Sequence, residues 1–330
     1  MHRRTLLAAL APAVLTAACS PRREPARAAG RTAVRFATDW RAQAEHGGWY
    51  AALAAGEFAR RGLDVSIIPG GAGAGVTQLL ATGAADLGIG SNAFGALNRV
   101  REGVPVRMVA AAFQKDPQVL MAHPGSGIRS LADLKGDRPI LIAAGATTTI
   151  WPWLKARFAV TDAQRRTYSG SSAVFLSDPR AVQEGYVTSE PYTIAQATGR
   201  EPDSFLLADS GYSGYAAMVA APDRWIAEKP GAVQAFVDAT AAGWRTYLHG
   251  DPAPADALIL RDNPQMRPDV LAQARDKLRR YAIVEPAGAP IGAMTDARWA
   301  AFAQMAKGLG LYPADLDVRR AYTLQFLPRA

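Results

Sequence analysis

The stretch Gln78-Leu79-Leu80-Ala81-Thr82-Gly83-Ala84-Ala85-Asp86-Leu87-Gly88-Ile89-Gly90 decides the fold class. Its first residues read as a helix near Gln78-Leu79-Leu80, and Asp86 to Gly90 as a short strand. Ser91 or Asn92 can cap the helix that follows, both being favoured N-cap residues. The same alternation runs upstream. Val34-Arg35-Phe36-Ala37 is a strand, 38–45 a loop, and His46 to Arg61 a helix closed by Gly62. Leu63-Asp64-Val65-Ser66-Ile67-Ile68 alternates as a strand, and Val106 to Phe113 is strand-like again. Strands alternating with helices predict an α/β unit with a largely parallel sheet. The glycine-rich run 70–75 lacks the third glycine and the acidic partner of a dinucleotide fingerprint, and reads as a surface turn.

A second series follows. Val119-Leu120-Met121-Ala122 looks like a strand leaving the first unit, and Ser130 to Gly136 a short capped helix. Strands are expected at 140–143 and near 166–168, 185–189, 205–207 and 215–219. Helices are expected over 149–159 and from Pro191. The last hundred residues are helical in pattern, at 230–248, 268–281 and 295–307. The expectation is two α/β lobes joined by two hinge strands. Lobe 1 would comprise 33–122 and 220–330, and lobe 2 would comprise 123–219, closing about hinges near 119–124 and 213–219. On such sheets ligands sit at the carboxyl ends of strands, here in the cleft between lobes.

With 49% hydrophobic and 20% charged residues, the 330-residue chain has globular rather than disordered composition. Arg3 and Arg4 precede an apolar run, Leu6 to Ala18, too short to span a bilayer comfortably, which is the pattern of an export signal. Leu15-Thr16-Ala17-Ala18-Cys19 resembles a bacterial lipobox. Residues 1–19 are therefore expected to be a lipoprotein signal peptide ending at Cys19, whose acylation would anchor the chain to a membrane. Residues 20–32 would be a flexible tether. A cut after Ala28 would instead release a soluble protein. Cys19 is the only cysteine, which excludes an internal disulfide and a cysteine metal site. His2, His46, His123 and His249 are scattered without ligand spacing, so neither a metal nor a cofactor is expected. Of the net charge of +8, Arg3 and Arg4 supply two and residues 20–31 supply three, leaving +3 on the body. No basic-aromatic stripe points to nucleic acid.

Several segments together carry a resemblance. They are Asp39-Trp40, Gly47 to Gly56, Gly62-Leu63-Asp64-Val65, Gln78 to Gly90, Gln114-Lys115-Asp116-Pro117, Gly185 to Tyr192 and Met294 to Trp299. The chain resembles the ThiY-like solute-binding proteins of ABC importers, which share a fold with fungal thiamine-pyrimidine synthases. The resemblance covers nearly all of 33–327. It implies a type II periplasmic-binding-protein fold and a monomer whose partners are a small-molecule ligand and an ABC permease with its ATPase. Aminopyrimidine precursors of thiamine are the best-known ligands, and riboflavin, sulfonates or nitrate those of more distant relatives. The cysteine-rich iron motif of the synthases is missing, which argues for a binding protein rather than an enzyme. A ligand sensor is the third class.

A planar, uncharged heteroaromatic needs stacking faces and fixed polar partners. Trp40, at the end of the first strand, is expected to stack on it or else to pack on the following helix. Asp39 would accept from an exocyclic amine or cap that helix. His46 begins the helix, and Gly48 with Gly47 allows close backbone approach, to a ligand or to a packing neighbour. Asn92 would donate and accept at a pyrimidine edge or serve as an N-cap, and Gln114 belongs to a similar strand-end loop. Thr147 and Thr148 offer hydroxyls before helix 149–159. Trp151 and Trp153 point in different directions, so one could face the cleft. Glu190, ahead of Pro191, would grip a diamino edge or compensate the helix dipole. Tyr186 and Tyr212 are further lining candidates.

Overall fold

A computed structural model describes residues 30–71, 73, 75–285 and 288–328. The leader 1–19, Cys19 itself and residues 20–29 of the tether lie outside the described residues. Among the described residues no helix is long and apolar enough to cross a membrane.

Ten strands form two five-stranded sheets. They are β1 (Thr32–Ala37), β2 (Leu63–Ile68), β3 (Leu87–Asn92), β4 (Val106–Phe113), β5 (Gln118–Ala122), β6 (Ile140–Ala143), β7 (Arg165–Tyr168), β8 (Val182–Tyr186), β9 (Asp203–Leu206) and β10 (Ala216–Pro222). The first sheet has the order β2-β1-β3-β10-β4 and the second β7-β6-β8-β5-β9. Two α/β lobes result. Each sheet is parallel except for one strand. β10 runs antiparallel between β3 and β4, and β5 antiparallel between β8 and β9. These are the strands by which the chain enters each sheet after crossing from the other one.

That topology corrects the sequence reading in two places. The strand at 118–122 does not close lobe 1, because it hydrogen-bonds inside the second sheet. The chain therefore leaves the first sheet at Phe113, upstream of the boundary expected at 122, and returns to it at Ala216. The strand expected near 185–189 lies at 182–186, since Tyr186 to Ser189 form a turn ahead of the next helix.

The helices are α1 (Gly47–Ala54), α2 (Glu57–Arg60), α3 (Val76–Thr82), α4 (Ala93–Arg101), α5 (Ile150–Phe158), α6 (Ala173–Ser177), α7 (Glu190–Thr198), α8 (Asp223–Glu228), α9 (Pro230–His249), α10 (Ala253–Asp262), α11 (Pro268–Arg280) and α12 (Asp296–Gly308). The single helix expected from His46 to Arg61 is split, because Gly56 adopts a left-handed φ of 70° between α1 and α2.

β10 is buried along its whole length and reads Ala-Ala-Met-Val-Ala-Ala-Pro. Small apolar residues suit a strand covered on both faces. Ala217, Val219 and Ala221 pack into one hydrophobic cluster, while Met218 and Ala220 pack into the other. The C-terminal helices return to the first sheet. α9 crosses α1 so closely that a Cβ at Gly48 would lie 2.3 Å from the Trp244 ring, and one at Gly243 would lie 2.1 Å from the Gly48 carbonyl oxygen. Trp49 meets Trp244 edge-on at 5.7 Å, and Phe36 lies 4.9 Å from Phe236.

Both crossings between the sheets converge on Arg298 of α12. Its Nε donates to the Ser213 carbonyl at 3.0 Å, and its Nη2 donates to Gly214 O at 3.1 Å and to Gln114 O. The guanidinium lies 4.0 Å over the Tyr215 ring. Lys115 and Asp209, one on each crossing, pair at 2.8 Å.

The α1–α9 crossing is testable by a pair of substitutions in one helix. Gly243→Ala is expected to destabilise the protein by about 3 kcal/mol, the upper range for overpacking, because backbone blocks the new methyl. Gly231→Ala, where nothing lies within 4 Å, should instead stabilise by about 0.5–1 kcal/mol. Urea unfolding of the two variants reads the contrast.

Candidate ligand-binding cleft

A cavity of about 370 Å³ lies between the two sheets. Its walls come from the carboxyl ends of parallel strands: Asp39 and Trp40 after β1, Ser91 and Asn92 at the end of β3, Phe113 at the end of β4, Ala143 at the end of β6, Tyr168 at the end of β7 and Tyr186 at the end of β8. The two antiparallel strands reach it by their amino ends, through Gln118 and Ala217. Strand direction therefore brings the ends of eight strands to one cleft.

The lobes meet around this cavity. Glu45 of lobe 1 accepts from the Thr188 hydroxyl of lobe 2, Asn98 Nδ2 donates to Thr148 O at 2.8 Å, and Gln273 Nε2 donates to Thr188 O. Trp40 reaches across as well, its Cζ2 lying 3.4 Å from where a Cβ at Gly170 would stand. The Trp40 loop is tied from below. Thr38 Oγ1 donates to the Trp40 carbonyl at 2.9 Å and accepts from Gly70 N at 3.0 Å.

Five carboxylates line the cavity; Glu102 is exposed, and the other four are buried or half-buried. Asp39 lies 3.4 Å from His46 Nε2. Burial raises its pKa, but the His46 hydrogen bond and charge outweigh that and hold it below the usual carboxylate range. Burial pushes Glu45 up, against the Thr188 hydrogen bond. Glu184 accepts from Ala143 N at 2.9 Å and from Gln118 Nε2, yet burial, reinforced by Glu190 and Asp116, takes it up to about 8. Glu190 accepts from Tyr168 OH at 3.0 Å and Tyr186 N at 2.7 Å, and burial again raises it. The cation among them is Arg99 of α4, whose Nε donates to Thr77 Oγ1 at 2.9 Å and whose Nη1 has no partner; burial lowers it to about 10. His46 Nδ1 is also buried and unpartnered.

The structure brings Asp39, Trp40, His46, Asn92, Thr148, Tyr186 and Glu190 together at the cavity. Asn92 is the N-cap of α4 at the same time, its Oδ1 accepting from Gly95 N at 3.0 Å. Five expected residues lie elsewhere. Gly48 serves the α1–α9 crossing, where a side chain would collide with Trp244. Gln114 is committed to structure, its Nε2 donating to Ala111 O at 2.9 Å and Ala293 O at 2.8 Å. Thr147 turns its hydroxyl back to Ala143 O at 3.3 Å. Trp151 is buried, with Nε1 donating to Asp162 at 2.7 Å, and Trp153 beside it is buried too. Tyr212 is a core residue among the rings of Phe94, Trp153 and Phe302. The glycine-rich run is not a plain surface turn, because Gly71, Gly73 and Gly75 line the cavity.

Glu45, Arg99, Gln118, Tyr168 and Glu184 went unnoticed in the sequence. Glu184 and Arg99 carried a signal, since a charged residue inside a buried strand or on an apolar helix face is rare without a role. Gln118 and Tyr168 carried none beyond their positions at strand ends.

Glu184 and, behind the cavity, Asp116, which is held up to about 7 mainly by burial, set a pH dependence. Both carry folded pKa values raised above those of the unfolded chain. Their protonated forms therefore stabilise the fold below the ordinary carboxylate range, and that contribution is lost as pH rises through about 7 and 8. Asp39, lowered instead, acts only at the acid end. The unliganded protein is expected to lose on the order of a few kcal/mol between about pH 5 and about pH 9. Glu184→Gln combined with Asp116→Asn should flatten that slope in a series of thermal melts, and an unchanged slope would refute the assignment.

Three comparisons bear on what this cleft belongs to. The riboflavin-binding protein RibY of Chloroflexus aurantiacus is 26% identical over 238 residues, a match spanning 69% of this chain and 66%, just under two thirds, of that protein. The alkanesulfonate-binding protein SsuA of Xanthomonas axonopodis, solved with MOPS, superposes with a TM-score of 0.64 at 16% identity over 90% of this chain and 99% of that one. The desulfurization enzyme DSZB superposes with a TM-score of 0.56 at 15% identity over 89% of this chain and 98% of that one. Likenesses at such identities establish a shared periplasmic-binding-protein fold, which hosts both binders and an enzyme. Residues 43–255, well over half of the sequence, match the NMT1/THI5-like family, and the chain belongs to that family.

Proposed function

We propose that the chain is the solute-binding protein of an ABC importer, working outside the cytoplasmic membrane, and that it closes its lobes on an uncharged, nitrogen-rich planar ring. Aminopyrimidine precursors of thiamine are the foremost such ligands. The observation that carries this reading is the cavity lining: Asp39, Glu45, Glu184 and Glu190 beside the aromatic side chains of Trp40, Tyr168 and Tyr186, with Arg99 as the lone guanidinium. Carboxyl oxygens accept from ring N–H and amino groups, and aromatic faces stack on the ring. The lining offers a single guanidinium, Arg99, among five carboxyl groups, so a sulfonate or nitrate would find few cationic donors there. A flavin is the second reading, favoured by the riboflavin-binding relative.

Hydrolytic chemistry finds little support. Asp39, not His46, stands between Ser91 and the imidazole, so no imidazole activates that hydroxyl in the manner of a triad. Among the described residues no thiol lines the cleft. On this reading the protein is a monomer without a cofactor, tethered through acylated Cys19, and delivers its ligand to a permease and its ATPase.

The test is native mass spectrometry and thermal shift on protein lacking residues 1–19, against aminopyrimidines, flavins and small sulfonates. A cognate ring at about a hundredfold excess over Kd adds about 3 kcal/mol and raises Tm by several degrees. Trp40→Ala is expected to weaken that ligand about tenfold or more, the loss of one stacking face. Stabilisation by sulfonates alone would overturn the ring reading. For the anchor, Cys19→Ala should move the protein from the membrane fraction to the soluble fraction, and continued membrane recovery would refute lipidation.

A further inference from the structure

A second cavity of about 340 Å³ adjoins the first. The two share Trp40, Gln43, Tyr168 and Glu190, which stand as the partition between them. Trp40 closes the partition against Gly170, whose φ of 91° and missing side chain let the indole edge lie on backbone. The cleft is thus two chambers in series.

The chambers differ in chemistry. The inner one holds five carboxylates and a guanidinium. The outer one adds Ser172, Ser189, Thr193, Asn263 and Gln265, hydroxyls and amides without charge, interleaved with apolar side chains such as Met266 and Ile194; all but Ser189 already hold at least one partner within the protein and keep further donor or acceptor capacity. Its own cation, Arg41, is exposed and already donates to Gln265 Oε1 at 3.0 Å. The side chains of Gln43 and Ser189 make no hydrogen bond among the described residues. Gln43 stands at the junction, where it can serve either chamber. Alternating hydroxyl, amide and apolar groups match a chain that alternates C–H and O–H, because each hydroxyl both donates and accepts.

We infer that the ligand has two parts, a planar ring in the inner chamber and a hydroxyl-rich arm that passes Trp40 into the outer chamber. This rests on the ring-binding reading above and narrows it to rings that carry a polyol or sugar-like substituent, in preference to the aminopyrimidines named there, which have no such arm.

The experiment compares rings with and without such an arm by calorimetry: lumiflavin against riboflavin, and cytosine against cytidine. In whichever pair binds, the armed compound should bind at least about tenfold tighter, the equivalent of about 1.4 kcal/mol. Thr193→Phe and Gln265→Trp narrow the outer chamber from different walls. Each should bring the armed compound down to the level of its bare ring. Equal binding of armed and bare rings in the unaltered protein would overturn the arm and leave the ring reading standing. An armed preference that survives both substitutions would place the arm elsewhere and overturn the outer chamber. Absence of binding by every ring compound would overturn both readings together.

Discussion

Both passages of the chain between the sheets are gripped by the guanidinium of Arg298. Three carbonyls, from Gln114, Ser213 and Gly214, share its donors, and Tyr215 covers its face. Those carbonyls sit in crossing segments that belong to neither sheet's ladder, where buried backbone acceptors need a partner. One planar cation with a fixed fork of donors satisfies several at once. The relative placement of the two sheets follows from that grip. So does the facing of strand ends across the cleft, and with it the position of every lining residue. The interlobe contacts at Thr188 and Thr148 close the mouth, but the crossings fix where the mouth lies.

Inside that frame the cleft gathers acid without matching it with base. Each of Glu184 and Glu190 already accepts donors from the chain, Ala143 and Gln118 for the first, Tyr168 and Tyr186 for the second. These bonds orient the carboxyl groups and leave lone pairs for an incoming molecule. Arg99, with one nitrogen unpartnered and its Nε spent on Thr77, supplies one opposing charge. A site of this kind gains most from a ligand that brings hydrogen-bond donors. The SsuA likeness speaks for the fold, and it is the side chains at this chain's own strand ends that determine its ligand.

Much of the fold was legible in the sequence because period and punctuation survive in local residues. Leu63 to Ile68 alternates, Asn92 caps, Pro191 and Pro268 open helices, and each appears in the structure as read. The direction of β5 and β10 was not legible, since a buried strand rich in alanine and valine looks the same whichever way it runs. Strand-end positions such as Asp39, Trp40 and Tyr186 could be placed at the cleft from topology alone. Gly48, Trp151 and Tyr212 could not be excluded from it, because a glycine that admits a ligand and one that admits a neighbouring helix are the same residue. Only Trp244, some two hundred residues away, distinguishes them. Glu45 was hidden for a related reason: its partner Thr188 lies on the other lobe.

The placement of β10 has a consequence for the order of assembly. The first sheet needs residues 216–222 between β3 and β4, yet the whole second sheet is encoded between β4 and that strand. As the chain emerges from its amino end, β4 has no partner in its own sheet until roughly a hundred further residues have appeared, whereas the second sheet is continuous in sequence. Pairings of long sequence separation form late, since the loop must close before the contact repays it. The second lobe is thus free to complete itself while the first waits with two unpaired strand edges, β3 and β4. Exposed edges of that kind are where chains join to one another, and the interval before β10 docks is the period in which this protein is most open to aggregation.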